Sequence, residues 1–491
     1  MEDLVCSSAA DLVRKIASRA VSAHEVASAF LDRIAQYNPS VNAIVSIPDD
    51  VLNKAKLLDQ RLAQGGSPRP LEGVPFVVKD NIDARGLHTT HGSVIYKDNL
   101  PAENSVVVQR MLDAGGILIG KSNTSEFATD INTSNSLFGT TRNPLDLNVS
   151  AGGSSGGTAA AIAAGFSPIG LGTDRGGSIR IPAAWCGVSG LRPAPGRVPI
   201  YPDEFAWDTL VNHVQGPMAR SVEDLGLLLS VLAGPDDRDP ISLPRTAADY
   251  EKAALGRVDL KGVRIAFCAD LGGIVPVDSQ VRQLAHDAAL SFRALGCTVD
   301  DACFDARDLK TIITGTRGYG ILARFGPLYQ KHGDTLGSQL VGQLEDAFGL
   351  SLNSVAEAER MRTAYWHRIL KLQEKYDFIM TPTIGATPFR LDQPLPTEIE
   401  GKPVENFYDI FLLVYAFSLV GLPAASVPCG LTSSGGPVGL QIVGRRQRED
   451  QVLNIAAHYM HANQELFAPR PIDLARLVPL GSSVSTPGMR Y

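Results

Sequence analysis

What the chain has little of narrows the field first. Its 491 residues hold only six cysteines, Cys6, Cys186, Cys268, Cys297, Cys303 and Cys429, and no C-x-x-C pair. That scatter disfavours a zinc site and a disulfide scaffold, and fits a reducing compartment. Long apolar runs are missing too: the longest, Ile410 to Val420, is interrupted by Ser418. Spanning a bilayer takes about 20 such residues, so this stretch is expected to be buried core. The N-terminus, MEDLVCSSAADLVRK, lacks the basic-then-apolar order of a signal peptide. No arginine-rich run appears, and the formal net charge is -7, so the clustered cations of a nucleic-acid surface are not there. There is no internal repeat. The expectation is a cytoplasmic globular protein with neither membrane nor nucleic acid as a partner.

The rest of the composition, 44% hydrophobic and 20% charged, suits a packed enzyme. Ser22 and Glu25 form a capping box, Val26, Phe30 and Ile34 make one apolar stripe, and Pro39 is expected to end that helix. A Gly-Gly-Ser-Pro loop at 65–68 leads into a strand from Val74 to Val78. Onward to about Gly234, strand-like and helix-like pieces alternate: a helix over 106–114, a strand over 117–119, an alanine-rich helix over 158–164 and a helix over 221–233. Such alternation predicts an α/β sheet. Residues 236–400 say less, with one further βαβ unit read around 263–299. The domain expectation is an N-terminal helical segment over 1–65 packing on the core, an α/β domain over 66–470, and a Ser/Pro/Gly-rich tail over 471–491.

Two motifs are decoys. Gly115 to Ser122 satisfies the phosphate-loop pattern, but Ile117, Leu118 and Ile119 read as the strand itself, so their N–H groups are committed to a sheet. Gly152-Gly-Ser154-Ser-Gly156 fits a nucleophile elbow, but the stretch before it, Asn143 to Ser150, is polar and turn-like. Histidines follow, His213, His286 and His458 among them, in settings that suggest no catalytic role.

Three segments carry chemistry: LEGVPFVVKDNID (71–83), AGGSSGGTAAAIAA (151–164) and GLGTDRGGSIRIPA (170–183). Each has a plain structural reading. Lys79 could pair with Asp80 or Asp83, the glycines could be a flexible loop, and Ser178 could cap a helix. Together they suggest more. The glycines before Ser178 can turn backbone N–H groups inward as an anion nest beside a nucleophile. A lysine kept neutral by burial can act as its base.

The three segments together resemble the amidase-signature family, and the likeness continues through GLRPAPGRVP (190–199), GPMARSVEDL (216–225), MTPT (380–383), GLPAASVPCG (421–430) and GGPVGLQIVGRR (435–446). It covers roughly residues 25–465, loosely over 240–370. The resemblance implies a single large α/β domain with a mixed central sheet flanked by helices. It implies Ser178 as nucleophile, Ser154 as a bridging serine on a cis peptide bond, and Lys79 as general base. The backbone N–H groups of Arg175, Gly176, Gly177 and Ser178 would form the oxyanion hole, with Ser155, Thr173, Asp174 and Arg180 holding the loops. No metal and no cofactor are required. The implied partner is a small-molecule amide, with a homodimer as one candidate assembly.

Arg175 departs from the common pattern, where a Thr or another small or apolar residue is frequent. Its side chain is expected to point away and pair with an acid, the alternative being that it lines the acyl pocket. Two other activities share the trio: the A subunit of a glutamine-dependent tRNA amidotransferase, and an ester or carbamate hydrolase. The amidotransferase chain normally has an aspartate shortly before its GLP segment, and the corresponding position here is Phe411.

Overall fold

The computed structural model describes residues 2–203, 205–207, 213–405 and 407–467. The expected tail over 471–491 and the expected domain end at 470 lie outside them.

Eleven strands form one central sheet: β1 (Ile44–Ser46), β2 (Pro75–Lys79), β3 (Ile117–Ser122), β4 (Ile169–Asp174), β5 (Ser189–Arg192), β6 (Val214–Ala219), β7 (Arg264–Phe267), β8 (Thr298–Asp301), β9 (Phe378–Pro382), β10 (Ala424–Leu431) and β11 (Pro437–Val443). Their spatial order is β1-β3-β2-β4-β6-β5-β10-β11-β9-β7-β8. The sheet is mixed. β2 runs parallel to both β3 and β4, and β7 parallel to β8 and β9, while β1, β6, β5, β10 and β11 join by antiparallel pairs. β2, β3, β4 and β6 are buried at every position, as strands covered on both faces must be. The single domain with a mixed sheet flanked by helices is the architecture the resemblance implied.

The N-terminal helices do more than pack on this core, because β1 adds an edge strand to the sheet. Their capping box at Ser22 and Glu25 is present. Pro39 does not end the helix, which runs Ala23–Val41 with the proline inside and stops at left-handed Asn42, φ 55°. The phosphate-loop decoy is indeed strand: β3 extends through Gly120, Lys121 and Ser122. The apolar run near 410–420 becomes a short helix, Leu412–Ser418, buried at every residue. No described helix is long and apolar enough to cross a membrane.

One expectation is overturned. Cys268 and Cys303 form a disulfide, with Cα atoms 5.0 Å apart. Their separation of 35 residues hid the pairing. The parallel pairing of β7 with β8 brings the residues just past both strand ends side by side. The cysteine pattern therefore no longer argues for a reducing compartment.

Candidate active site

Lys79 is the last residue of β2, and Thr173 and Asp174 are the last of the adjacent parallel strand β4. The site thus lies beyond the carboxyl ends of parallel strands, where an α/β sheet leaves an open crevice. Here the Lys79 side chain is fully buried. Its Nζ donates to Ser154 Oγ at 2.6 Å and to Thr173 Oγ1 at 2.8 Å, and Asn81 Nδ2 also donates to Thr173 Oγ1, at 3.2 Å. Burial pushes the amine well below the ordinary lysine value, and the charge of Asp174 opposes that only in part. Lys79 does not pair with Asp80. The Asp80 carboxylate faces Lys121 at 3.7 Å and accepts from Thr90.

Ser154 follows a cis peptide bond from Gly153. A side chain at Gly153 would lie 2.7 Å from the Asp130 and Ile131 backbone, so only glycine fits there. The neighbouring loop is tied by Thr133, whose hydroxyl donates to Gly152 O at 2.8 Å and accepts from Gly156 N–H at 2.9 Å. Ser155 connects the two serine loops. Its N–H donates to Ser178 O at 3.2 Å, and its hydroxyl accepts from Thr173 N–H at 3.3 Å.

Ser178 is half-buried and lines, with Ser154 and Thr173, a cavity of about 960 Å³. Gly176 and Gly177 precede it against the Leu412–Ser418 helix. A Cβ on either would fall onto Tyr415 or Val414, and Gly177 also has φ +116°. Gly177 N–H donates to Asp174 Oδ1 at 2.8 Å, so this member of the expected oxyanion row is already engaged. The N–H groups of Gly176 and Ser178 meet no acceptor among the described residues. Arg175 is among the residues that line the cavity.

The loop is anchored by a buried charge cluster. Arg180 Nε and Nη2 each donate to the Asp174 carboxylate at 2.9 Å. Its Nη1 reaches Val414 O and Gln441 Oε1, and Arg192 Nη1 donates to Asp174 O at 2.7 Å. Burial alone would raise the Asp174 carboxyl, but Arg180, Arg192 and the Gly177 N–H override it and hold it well below the usual range. Desolvation in turn pushes Arg192 down to about 9. Thr173, Ser155, Asp174 and Arg180 thus sit where they fix both loops, and none of the four is placed as a nucleophile.

Several cavity residues were not anticipated. His91 and His213 both line it. Desolvation pushes His91 down to about 4 and His213 further, so both imidazoles are neutral and weakly basic. Arg317 and Arg324 come from the helix Leu309–His332, in the poorly legible stretch. Asp203 pairs with Arg324 at 3.1 Å. Phe411 does line the cavity, as an apolar wall. No group of three or more metal-ligating side chains occurs among the described residues.

Comparison with known proteins gives the family of the chain. The model of the amidase family matches residues 25–453. An acylamidase of Rhodococcus erythropolis is 36% identical over 456 residues, 92% of this chain and 94% of that protein. The A subunit of the glutamyl-tRNA(Gln) amidotransferase of Thermoanaerobacter pseudethanolicus is 33% identical, covering 95% of this chain and 98% of that one. The crystal structure of a bacterial aryl acylamidase of the amidase signature enzymes superposes with a TM-score of 0.87 at 30% identity, over 95% of this chain and 99% of that chain. The chain belongs to the amidase family, and it is a hydrolase of amide carbon–nitrogen bonds.

Proposed function

We propose that the protein hydrolyses a small organic carboxamide to an acid and an amine through an acyl-enzyme on Ser178. The observation that carries this reading is the buried contact of 2.6 Å between Lys79 Nζ and Ser154 Oγ, beside a cavity that Ser178 lines. A neutral Lys79 amine has a lone pair for the Ser154 proton, and Ser154 can then take the proton of Ser178. The Ser178 oxygen attacks the amide carbonyl, and backbone N–H groups at Gly176 and Ser178 face the developing oxyanion. The proton returns through Ser154 to the departing amine, and water repeats the sequence to release the acid.

A cavity of about 960 Å³ accommodates a small organic molecule. The likeness to an acylamidase favours hydrolysis of acyl amides. The amidotransferase chains also resemble this one over almost its full length. Against that reading stands Phe411, 5% exposed, where a carboxylate would be needed for the amino group of glutamine. Ester and carbamate hydrolysis share the acylation step and remain side activities of the same site.

The test is turnover of aliphatic, aryl and amino-acid amides by wild type and Ser178→Ala. The reading expects acyl or aryl amides to be hydrolysed by wild type alone, with glutamine poor. Saturable glutamine hydrolysis that needs a co-purifying partner protein would favour the amidotransferase instead.

A further inference from the structure

We propose that Arg317 selects the substrate by receiving a carboxylate carried at the end remote from the scissile amide; this rests on the amidase reading above. Arg317 is 6% exposed and lines the same cavity as Ser154 and Ser178. Its guanidinium carries a positive charge at neutral pH. Its contacts are neutral. Nε and Nη2 both donate to Gln343 Oε1, at 3.2 and 2.6 Å, and the Tyr408 ring lies 5.7 Å from its centre. No carboxylate comes within 4.0 Å of it among the described residues.

The other buried arginines are treated differently. Arg180 and Arg192 share Asp174, and Arg197 has Glu449. Arg220 meets three backbone carbonyls and lies near the charge of Asp224. Arg317 donates twice to one amide oxygen and otherwise meets only the Tyr408 hydroxyl. That is a poor return for a desolvated ion, and a planar carboxylate from the cavity would complete it with paired hydrogen bonds.

The surroundings hold Arg317 in place for this. Gln343 is locked by its own donation to Thr129 O at 3.1 Å, in the segment that backs Gly153 and Ser154. Tyr408 packs edge-on against Phe411 at 5.9 Å, the apolar wall of the cavity. Three acids line the cavity: Asp203 pairs with Arg324, Asp83 lies beside Lys121, and Asp130 Oδ1 accepts from Asn132 N–H. Arg317 is therefore placed to bind substrate at the cavity wall, away from the Lys79–Ser154 contact.

The experiment compares steady-state kinetics on primary amides bearing a terminal carboxylate, from malonamate to adipamate, with neutral amides of equal length. Wild type, Arg317→Met and Arg317→Lys are assayed. At one chain length wild type should prefer the carboxylate by about tenfold in kcat/KM, chiefly through KM. Arg317→Met should bring the ratio of kcat/KM for the charged over the neutral amide down to about one, and Arg317→Lys should retain part of the preference. A wild type without preference at any length overturns the proposal, as does an Arg317→Met variant that loses both amide classes equally. Hydrolysis of neutral amides without discrimination would leave the amidase reading standing. No hydrolysis of any amide would remove that reading itself.

Discussion

Replacing Lys79 by methionine tests both the chemistry and the cost of building it. The side chain is fully buried between the hydroxyls of Ser154 and Thr173. An unfolded lysine titrates near 10.4. With the folded amine's pKa lowered by burial, the unfolded state binds up to one more proton between the folded value and about 10.4. Wild-type stability must therefore rise with pH in that window, by about 1.4 kcal/mol per unit. Lys121, pushed down to about 8, and Arg192, to about 9, add slopes of the same sign only above those values. Comparison with Lys79→Met cancels those slopes. Urea unfolding should give a wild-type free energy that rises with pH relative to Lys79→Met, approaching about 1.4 kcal/mol per unit between the lowered folded value and about 10.4. In the same variant amide hydrolysis should fall by about 10²–10⁴, and the rise in kcat/KM with pH that wild type shows as the Lys79 amine loses its proton should vanish. A stability difference that stays flat up to about pH 10 would refute the lowered amine. A variant that keeps both rate and alkaline rise would show that another group is the base.

Asp174→Asn should cost about 3–5 kcal/mol in urea unfolding at pH 7, because it leaves the buried Arg180 without its charge partner. The folded Asp174 pKa is depressed, so this contribution is present above about pH 4 and shrinks as pH falls through the folded value. A variant of unchanged stability and activity would contradict the anchoring role. Gly177→Ala puts a Cβ onto Val414 at φ +116°, and kcat/KM should drop by about 10²–10³ through displacement of the oxyanion loop. Wild-type kinetics in that variant would mean the loop tolerates the shift. Activity should survive exhaustive chelation, since no metal-ligating trio occurs among the described residues. A loss restored by zinc would count against the proposed mechanism.

The legible parts of the molecule were those where local pattern and packing coincide. β2 is a short run of buried apolar residues ending in Lys79, and the glycines before Ser178 mark a backbone that the Leu412–Ser418 helix approaches closely. The helix that supplies Arg317 and Arg324 carries Gly315, Gly318, Gly320, Gly326 and Pro327, which read as breakers. Gly315 is there because a Cβ would fall onto Ala358 of the helix Leu352–Gln373. That reason is tertiary, and no window of sequence contains it. The same holds for Cys268 and Cys303, joined only once β7 and β8 pair. His213 and Asp203 line the cavity, and the sequence around them carries no apolar periodicity to announce it.

The central claim is an acyl-enzyme on Ser178. Wild type mixed with an activated amide and quenched in acid within the first turnover should yield one peptide heavier by the acyl group. Fragmentation should place that mass on Ser178, and Ser178→Ala should carry none. The acyl group on Ser154 or elsewhere, or full turnover with no adduct and an undiminished rate in Ser178→Ala, would contradict the account.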